Sequence, residues 1–187
     1  MSKFNEATLE AAIIELFEEN VKYTHVHGSF IHKKINEVLL KDDFIKHLLL
    51  SYADKGITKD EAELVFKKVE NISNLPLYEA NREFTRLLMN GAILKRLDSS
   101  KKDFHYTLID FNNIDNNFYK IVNQLEIKGS ETRIPDAIVY VNGLPLVVME
   151  FKSAVKENTT IKNAYDQLTI RYRRCIFFDC RFELHNH

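Results

Sequence analysis

A single stretch of sequence decides the fold: residues 137–152 read AIVYVNGLPLVVMEFK. Two apolar runs rich in β-branched residues, 137–141 and 144–152, flank Asn142-Gly143, and this composition favours strands. Asn-Gly between two such runs is typical of a tight β-hairpin turn, because both residues accept a positive φ. The stretch therefore predicts two neighbouring antiparallel strands joined at Asn142-Gly143.

Charged side chains lie at the open end of this hairpin. Asp136 precedes the first strand, and Glu150 and Lys152 share one face at the end of the second, since side chains alternate along a strand. Two neighbouring carboxylates favour a hard cation such as Mg²⁺ or Mn²⁺, and a lysine beside them can orient a water or stabilise phosphoryl charge. The pattern predicts phosphodiester hydrolysis; an exposed Glu-Lys pair at a strand end is the ordinary structural alternative.

The length of the loop decides whether Asp136 joins this group. A two-residue loop places Asp136 opposite Met149, so that Glu150 points to the other face of the sheet. A three-residue loop with Gly143 as a left-handed bulge, or an equivalent bulge, brings Asp136, Glu150 and Lys152 to one face. The catalytic interpretation requires the second register, whereas a structural hairpin is compatible with either.

Helical patterns dominate the chain before the strands. Apolar residues recur at helical spacing, and Thr58-Lys59-Asp60-Glu61 has the spacing of a capping box. The predicted helical segments are 5–17, 35–40, 44–49, 58–69 and 78–97, with Gly91 ending or interrupting the last. Strands are predicted at 106–111 and 118–127, and a further helix at 160–174. This order predicts an α/β domain with helices packed on a largely antiparallel or mixed sheet.

Composition excludes several classes of protein. The 187 residues include 26 Lys and Arg against 27 Asp and Glu, a net charge of −1, which does not indicate a protein that grips nucleic acid by charge alone. No apolar run approaches the roughly 20 residues of a membrane span. Cys175 and Cys180 form neither a disulfide framework nor a zinc pattern. We expect a cytoplasmic protein of one domain with no membrane partner.

Several segments together resemble the N-terminal nuclease domain of type I restriction enzyme R (motor) subunits, a branch of the PD-(D/E)XK nuclease superfamily. The matching segments occur in consistent order, at 77–84, 108–111, 117–118, 122–124, 133–136 and 141–152. The resemblance implies a restriction-endonuclease-like mixed sheet flanked by helices. Residues 1–75 would form a helical N-terminal layer, and residues 76–187 the nuclease core.

The resemblance also implies roles for individual residues. Asp136 and Glu150 would be ligands of Mg²⁺, for which Mn²⁺ can substitute, and Lys152 would be the catalytic lysine. The superfamily usually supplies one more acidic residue from a helix before the sheet. Glu83 is the best placed for that role, and Glu79, one helical turn earlier, is its rival.

A second family motif, Gln-x-x-x-Tyr, follows the lysine strand on a helix. Gln167 matches its first position and is predicted to assist catalysis, but Tyr172 comes one residue late. Five residues turn a side chain about 140° round a helix, so either Arg171 takes that place or Tyr172 reaches in from the side. The resemblance assigns DNA contact to a basic segment that consists of Arg171, Tyr172, Arg173 and Arg174. The structural alternative is that this segment is a solvated helix face.

The function implied is that of an Mg²⁺-dependent endonuclease module. It would cleave double-stranded DNA within a complex that also holds modification and specificity subunits. R subunits continue into motor domains that use ATP; this chain has no Walker-type loop, so we expect a C-terminally truncated nuclease core without the motor domains. Two alternatives remain: a catalytically incomplete fragment that serves only assembly, and a stand-alone PD-(D/E)XK repair nuclease.

Overall fold

The computed structural model describes residues 6–33, 37–128 and 132–151. The regular elements in these ranges are α1 (Glu6–Glu19), β1 (Thr24–His27), α2 (Lys41–Ser51), α3 (Lys59–Asn71), α4 (Leu77–Asn90), β2 (Ala92–Leu94), β3 (Phe104–Tyr106), β4 (Tyr119–Asn123), β5 (Ile127–Lys128), β6 (Thr132–Arg133), β7 (Ala137–Val141) and β8 (Leu144–Met149). Among the described helices, none has the length and apolar character needed to cross a membrane. The predicted helix at 160–174 lies outside the described residues.

The central sheet has the strand order β1-β4-β7-β8. Strands β4, β7 and β8 form an antiparallel meander, whereas β1 runs parallel to β4. The mixed sheet with packed helices that the sequence predicted is therefore confirmed. Residues 1–75 were predicted to form a mostly helical layer, and this segment also contributes β1 to the sheet. Two small hairpins, β2–β3 and β5–β6, lie outside the central sheet.

The turn between β7 and β8 has two residues, with φ of 53° at Asn142 and 79° at Gly143. Positive φ at both positions identifies a type I′ turn, which confirms the predicted hairpin. The three-residue loop considered from the sequence is wrong. The register instead changes within β8, because Tyr140 pairs with Pro145 whereas Val139 pairs with Val147. Leu146 is left as a bulge residue next to a proline that lacks the N–H a regular ladder needs.

The two faces of the sheet carry separate apolar clusters. On one face, Ile14 of α1 packs against Ile121, Ala137 and Val139. On the other, the buried residues are Leu40, Val122, Leu125, Ile127, Ile138 and Tyr140. The helix predicted at 5–17 is confirmed; Ile14 is its buried residue, whereas Leu16 is 46% exposed.

A second core joins α2, α3 and α4 with the β2–β3 hairpin and reaches the central sheet at Leu144. The predicted capping box at Thr58 is present, and the same Glu61 side chain is part of a buried ion pair. Its Oε1 accepts a hydrogen bond from Arg96 Nε at 2.8 Å, and the two side chains are 1% and 3% exposed. This hydrogen bond lowers the pKa of Glu61 to about 2.

Two helical predictions differ from the structure. Residues 37–40 are not helical, because the Leu40 N–H is taken by the carbonyl of Gly143 at 2.9 Å. After Gly91 the chain turns into β2, so the glycine ends α4. Gly91 has a φ of 62°, and a Cβ there would lie 1.9 Å from the carbonyl oxygen of Tyr106. Close packing between chain segments overrides the helical pattern at both places.

We predict that Gly143→Ala destabilises the protein much more than Gly56→Ala. Both residues have positive φ, 79° and 60°, so alanine costs about 1 kcal/mol at each. A Cβ on Gly143 would lie 2.4 Å from the Leu40 carbonyl oxygen, whereas no described atom lies within 4 Å of one on Gly56. Urea unfolding should show that the free energy of unfolding falls by about 3 kcal/mol in Gly143→Ala and by about 1 kcal/mol in Gly56→Ala. Equal losses would contradict the packing of this turn on α2.

A buried histidine on α2 makes stability depend on pH. His47 is 3% exposed, and its ring packs edge-on against Phe118. Burial lowers its pKa to about 4, although the Asp110 carboxylate and the Asn116 backbone act to raise it. In the unfolded chain the imidazole binds a proton near pH 6.5. The neutral, buried ring therefore makes its full contribution to stability above about pH 6.5, and this contribution is lost as the pH falls towards about 4.

His47→Gln should remove this part of the pH dependence. The free energy of unfolding of the wild type should fall by up to about 3 kcal/mol more than that of the variant between about pH 6.5 and 4, since one pKa unit is worth 1.36 kcal/mol. The free energy of unfolding, measured in urea at several pH values, checks this. His32→Gln is the control, because His32 is exposed. Parallel pH profiles for wild type and His47→Gln would refute the prediction.

Candidate functional site

Two carboxylates, Asp136 and Glu150, follow the last pair of the β7–β8 ladder at the open end of the hairpin. Ala137 pairs with Met149, so the next pair outward in this register is Asp136 and Glu150. Residues directly opposite on antiparallel strands point to the same face, with Cβ atoms about 5 Å apart. Without the bulge at Leu146, the two-residue turn would have placed them on opposite faces. The register that the catalytic interpretation requires is thus produced inside β8.

Backbone contacts hold Asp136 in place. Its Oδ2 accepts a hydrogen bond from the Phe151 N–H at 2.5 Å, and its carbonyl oxygen accepts one from the Gln124 N–H at 3.3 Å. The carboxylate is therefore anchored to the end of the second hairpin strand, one residue after Glu150. Asp136 and Glu150 are both half-buried. Lys152, the next residue after Phe151, lies outside the described residues.

The donor chemistry of this pair fits a hard divalent cation. Carboxylate oxygens are the ligands that Mg²⁺ and Mn²⁺ prefer, and Mg²⁺ is commonly bound through one or two carboxylates and several waters. In the part of the chain that the structure describes, no group of three or more His, Cys, Asp or Glu side chains comes together. The described protein ligands of such an ion are therefore Asp136 and Glu150 alone.

Helix α1 is attached to the end of β4 through Glu10, a residue that the sequence analysis did not single out. Glu10 accepts a hydrogen bond from Asn123 Nδ2 at 2.9 Å and two from Gln124 Nε2 at 3.2 and 3.1 Å. Asn123 pairs with Ala137, the residue after Asp136. The sequence held one signal for this residue, since Glu10 lies one helical turn before Ile14, on the stripe of α1 that packs on the sheet.

The backbone at the end of β4 is specialised to bind Glu10. Successive strand residues normally point to opposite faces, yet Asn123 and Gln124 both reach the same carboxylate. Gln124 has a φ of 52°, which breaks the alternation. A left-handed conformation costs a non-glycine residue roughly 1 kcal/mol or more. This cost is concentrated where β4 ends beside Asp136.

Glu83, the acidic residue predicted from the helix before the sheet, has other partners. Arg86 donates to both of its carboxylate oxygens, at 2.9 and 2.6 Å, and these bonds hold the pKa of Glu83 below its ordinary value. Helix α4 packs in the core that meets β8 at Leu144. That position is six residues from Glu150, or about 20 Å along a strand. The described contacts do not bring Glu83 to the Asp136–Glu150 pair.

The other predicted site residues remain predictions. Glu79, the rival of Glu83, is exposed on α4. Gln167 and the basic segment Arg171, Tyr172, Arg173 and Arg174 lie outside the described residues, as Lys152 does. The described part of the candidate site therefore consists of Asp136 and Glu150.

Comparison with known proteins gives one consistent result. Residues 3–183 match the model of a family described as the type I restriction enzyme R protein N terminus. A Methanocaldococcus jannaschii protein named as the MjaIXP endonuclease subunit of a type I restriction enzyme is 33% identical over 177 residues, which is 88% of this chain. The HindI type I restriction enzyme endonuclease subunit of Haemophilus influenzae is 38% identical over 90 residues, or 46% of this chain. The matched regions make up 17% and 8% of those proteins.

We predict that Mn²⁺ binding distinguishes Asp136 from Glu83. Asp136→Asn should weaken binding at least about tenfold, because it removes the negative charge of a candidate metal ligand. Glu83→Gln is the matched control, since Glu83 is also a half-buried carboxylate but is paired with Arg86. Calorimetric titration of the chain with Mn²⁺ measures both effects. Weaker binding by Glu83→Gln with wild-type binding by Asp136→Asn would restore Glu83 to the site.

Proposed function

The chain belongs to the family of type I restriction enzyme R protein N termini, and from this membership we propose that it is an Mg²⁺-dependent endonuclease module that hydrolyses DNA phosphodiester bonds. One observation carries the proposal: the bulge at Leu146 gives β8 the register that, continued one pair beyond Ala137 and Met149, puts Asp136 opposite Glu150. A hairpin that served only packing would not need two carboxylates brought together there, since neighbouring negative charges repel.

In the proposed site, Asp136 and Glu150 hold the metal ion. A bound Mg²⁺, or Mn²⁺ in its place, supplies Lewis-acid stabilisation of the phosphoryl oxygens. The hydrogen bond from the Phe151 N–H fixes one oxygen of the Asp136 carboxylate. Lys152 orients the attacking water and stabilises charge that develops on the phosphate.

The proposed substrate is double-stranded DNA. Gln167 would assist at the edge of the site, and the segment Arg171, Tyr172, Arg173 and Arg174 would contact the phosphate backbone. The chain spans only 17% and 8% of the length of the relatives named above. We therefore assign ATP-driven movement on DNA, and contact with modification and specificity subunits, to the longer proteins of this family.

A second candidate function is assembly without catalysis. It is favoured by the absence, within the described residues, of any group of three or more metal-ligating side chains. In this alternative the domain keeps its fold and contributes only a surface to the restriction complex. The two functions differ in whether cleavage of DNA depends on Lys152.

Nicking of supercoiled plasmid DNA in Mn²⁺ tests the proposal. We predict that Lys152→Ala lowers the cleavage rate at least about 100-fold, whereas Lys95→Ala, which alters an exposed lysine, leaves it unchanged. The same two substitutions are made in the longer protein that contains this domain, assayed with ATP. Cleavage by that protein that survives Lys152→Ala would overturn the catalytic proposal. Cleavage there but not by this chain would make the chain an incomplete part of the nuclease.

A further inference from the structure

In the part of the chain that the structure describes, α1 covers only part of one face of the central sheet. Ile14 packs with Ile121 of β4 and Val139 of β7, so the helix lies above these two strands. Val147 of β8 is paired directly with Val139 and therefore points to the same face. It is nevertheless 46% exposed, and Met149, two residues later, is half-buried. This face thus presents apolar side chains above β8, beside α1.

Helix α1 also carries apolar residues on the side that faces β8. Glu18 Oε2 lies 3.7 Å from Nδ1 of His25 on β1, so one flank of the helix faces β1 and the opposite flank faces β8. Residues three and four apart share one side of a helix, and such a row lies on the side away from Glu18. It consists of Leu9, Ala12, Ile13 and Leu16, of which Leu16 is 46% exposed. We call this row, together with Val147 and Met149, the α1–β8 surface.

The charge of α1 has a single sign. The helix contains no lysine or arginine, and its glutamates are Glu6, Glu10, Glu15, Glu18 and Glu19. Glu18 and Glu19 lie in the last turn, where the helix dipole favours cations rather than carboxylates. Glu15 and Glu19 are exposed. A cation brought to this end of α1 would therefore be stabilised by the carboxylates and by the helix dipole together.

These charges distinguish between the possible occupants of the α1–β8 surface. Two copies of α1 packed on each other would bring their glutamates together, and like charges repel. An anionic membrane surface would be repelled for the same reason. A helix that has an apolar row flanked by lysine or arginine matches both the apolar residues and the charge. Packed helices lie about 8–10 Å apart, or about two strand spacings, so a helix beside α1 would lie over β8.

We propose that the α1–β8 surface is a docking site for a cationic amphipathic helix from another domain of the longer proteins of this family. The chain spans 17% of the MjaIXP subunit, so in such a protein the helix would be joined covalently to this domain. A covalent tether raises the effective concentration of the helix, which suits a surface that is small for stable association between separate proteins. The inference does not depend on the metal site, because strand alternation points Asp136 to the opposite face from Ala137, which packs with Ile14.

Fluorescence anisotropy of a labelled peptide tests the chemistry of this surface. The probe is a designed helix of leucine and lysine, as long as the 14 residues of α1; glutamate replaces lysine in the control peptide. Leu16→Lys should weaken binding of the lysine peptide at least about tenfold. Leu64→Lys, at an equally exposed leucine of α3, should change it less than about twofold. The glutamate peptide should bind the wild type at least about tenfold more weakly than the lysine peptide.

Three results of this titration would overturn the proposal. They are equal binding of the two peptides, an equal loss of binding in Leu16→Lys and Leu64→Lys, and no binding of the lysine peptide. Light scattering on the same chain measures self-association, and we expect a monomer. A dimer that Leu16→Lys dissociates would identify a second copy as the occupant and would also overturn the proposal.

Cysteine labelling tests the source of the helix. Leu16→Cys and Leu64→Cys are made in this chain and in the longer protein that contains this domain, and mass spectrometry measures how fast each new cysteine reacts with a maleimide. Leu16→Cys should react at least about tenfold more slowly in the longer protein, because the docked helix covers it. Leu64→Cys should react at the same rate in both. Equal rates for Leu16→Cys in the two proteins would refute docking from another domain.

Discussion

The side chain of Asn142 is buried at the centre of the hydrogen-bond network that organises this fold. Its Nδ2 donates to the Leu108 carbonyl at 3.0 Å and to Asn117 Oδ1 at 2.8 Å, and its Oδ1 accepts from the Phe118 N–H at 2.7 Å. The residue is fully buried and has positive φ. Asparagine suits this position because its amide both donates and accepts, and because it tolerates the left-handed conformation better than most residues. The turn of the hairpin is thereby tied to the segment that leads into β4.

The same turn attaches the helical half of the molecule to the sheet. The carbonyl of Gly143 accepts from Leu40 N–H, just before α2, and Gly143 packs directly on this backbone. Because α2, α3 and α4 pack together around Leu144, the helical core is anchored at the turn end of the hairpin. The opposite end of the sheet carries Asp136 and Glu150. The site and the main helical core are therefore at opposite ends of β8.

Polar groups at the site end are arranged by the strands and by α1. The bulge at Leu146 sets the register of Glu150 against Asp136, and the left-handed Gln124 lets two neighbouring amides bind Glu10. These irregularities carry a conformational cost, which is commonly found where a chain places functional groups. Membership of the R protein N-terminus family agrees with this picture, since relatives named as endonuclease subunits share the region.

Much of the fold was predictable because its signals are local. The Asn142-Gly143 turn, the strands on either side of it and the capping box at Thr58 depend on neighbouring residues, and the structure contains all of them. Predictions failed where distant segments compete for the same backbone groups. The 37–40 segment has a helical pattern, but Leu40 is bound to Gly143, about a hundred residues later in the chain.

By itself, the sequence determined the hairpin, the mixed α/β class and the identity of the charged residues at the hairpin's open end. Only the tertiary structure decided that the register change lies at Leu146 rather than in the turn, and that Glu83 is paired with Arg86 while Glu10 is bound at the end of β4. The physical reason is that one extra residue anywhere in a strand moves every later side chain to the other face of the sheet. Which helix reaches the end of a strand likewise depends on packing between segments far apart in the chain, such as Glu10 and Asn123.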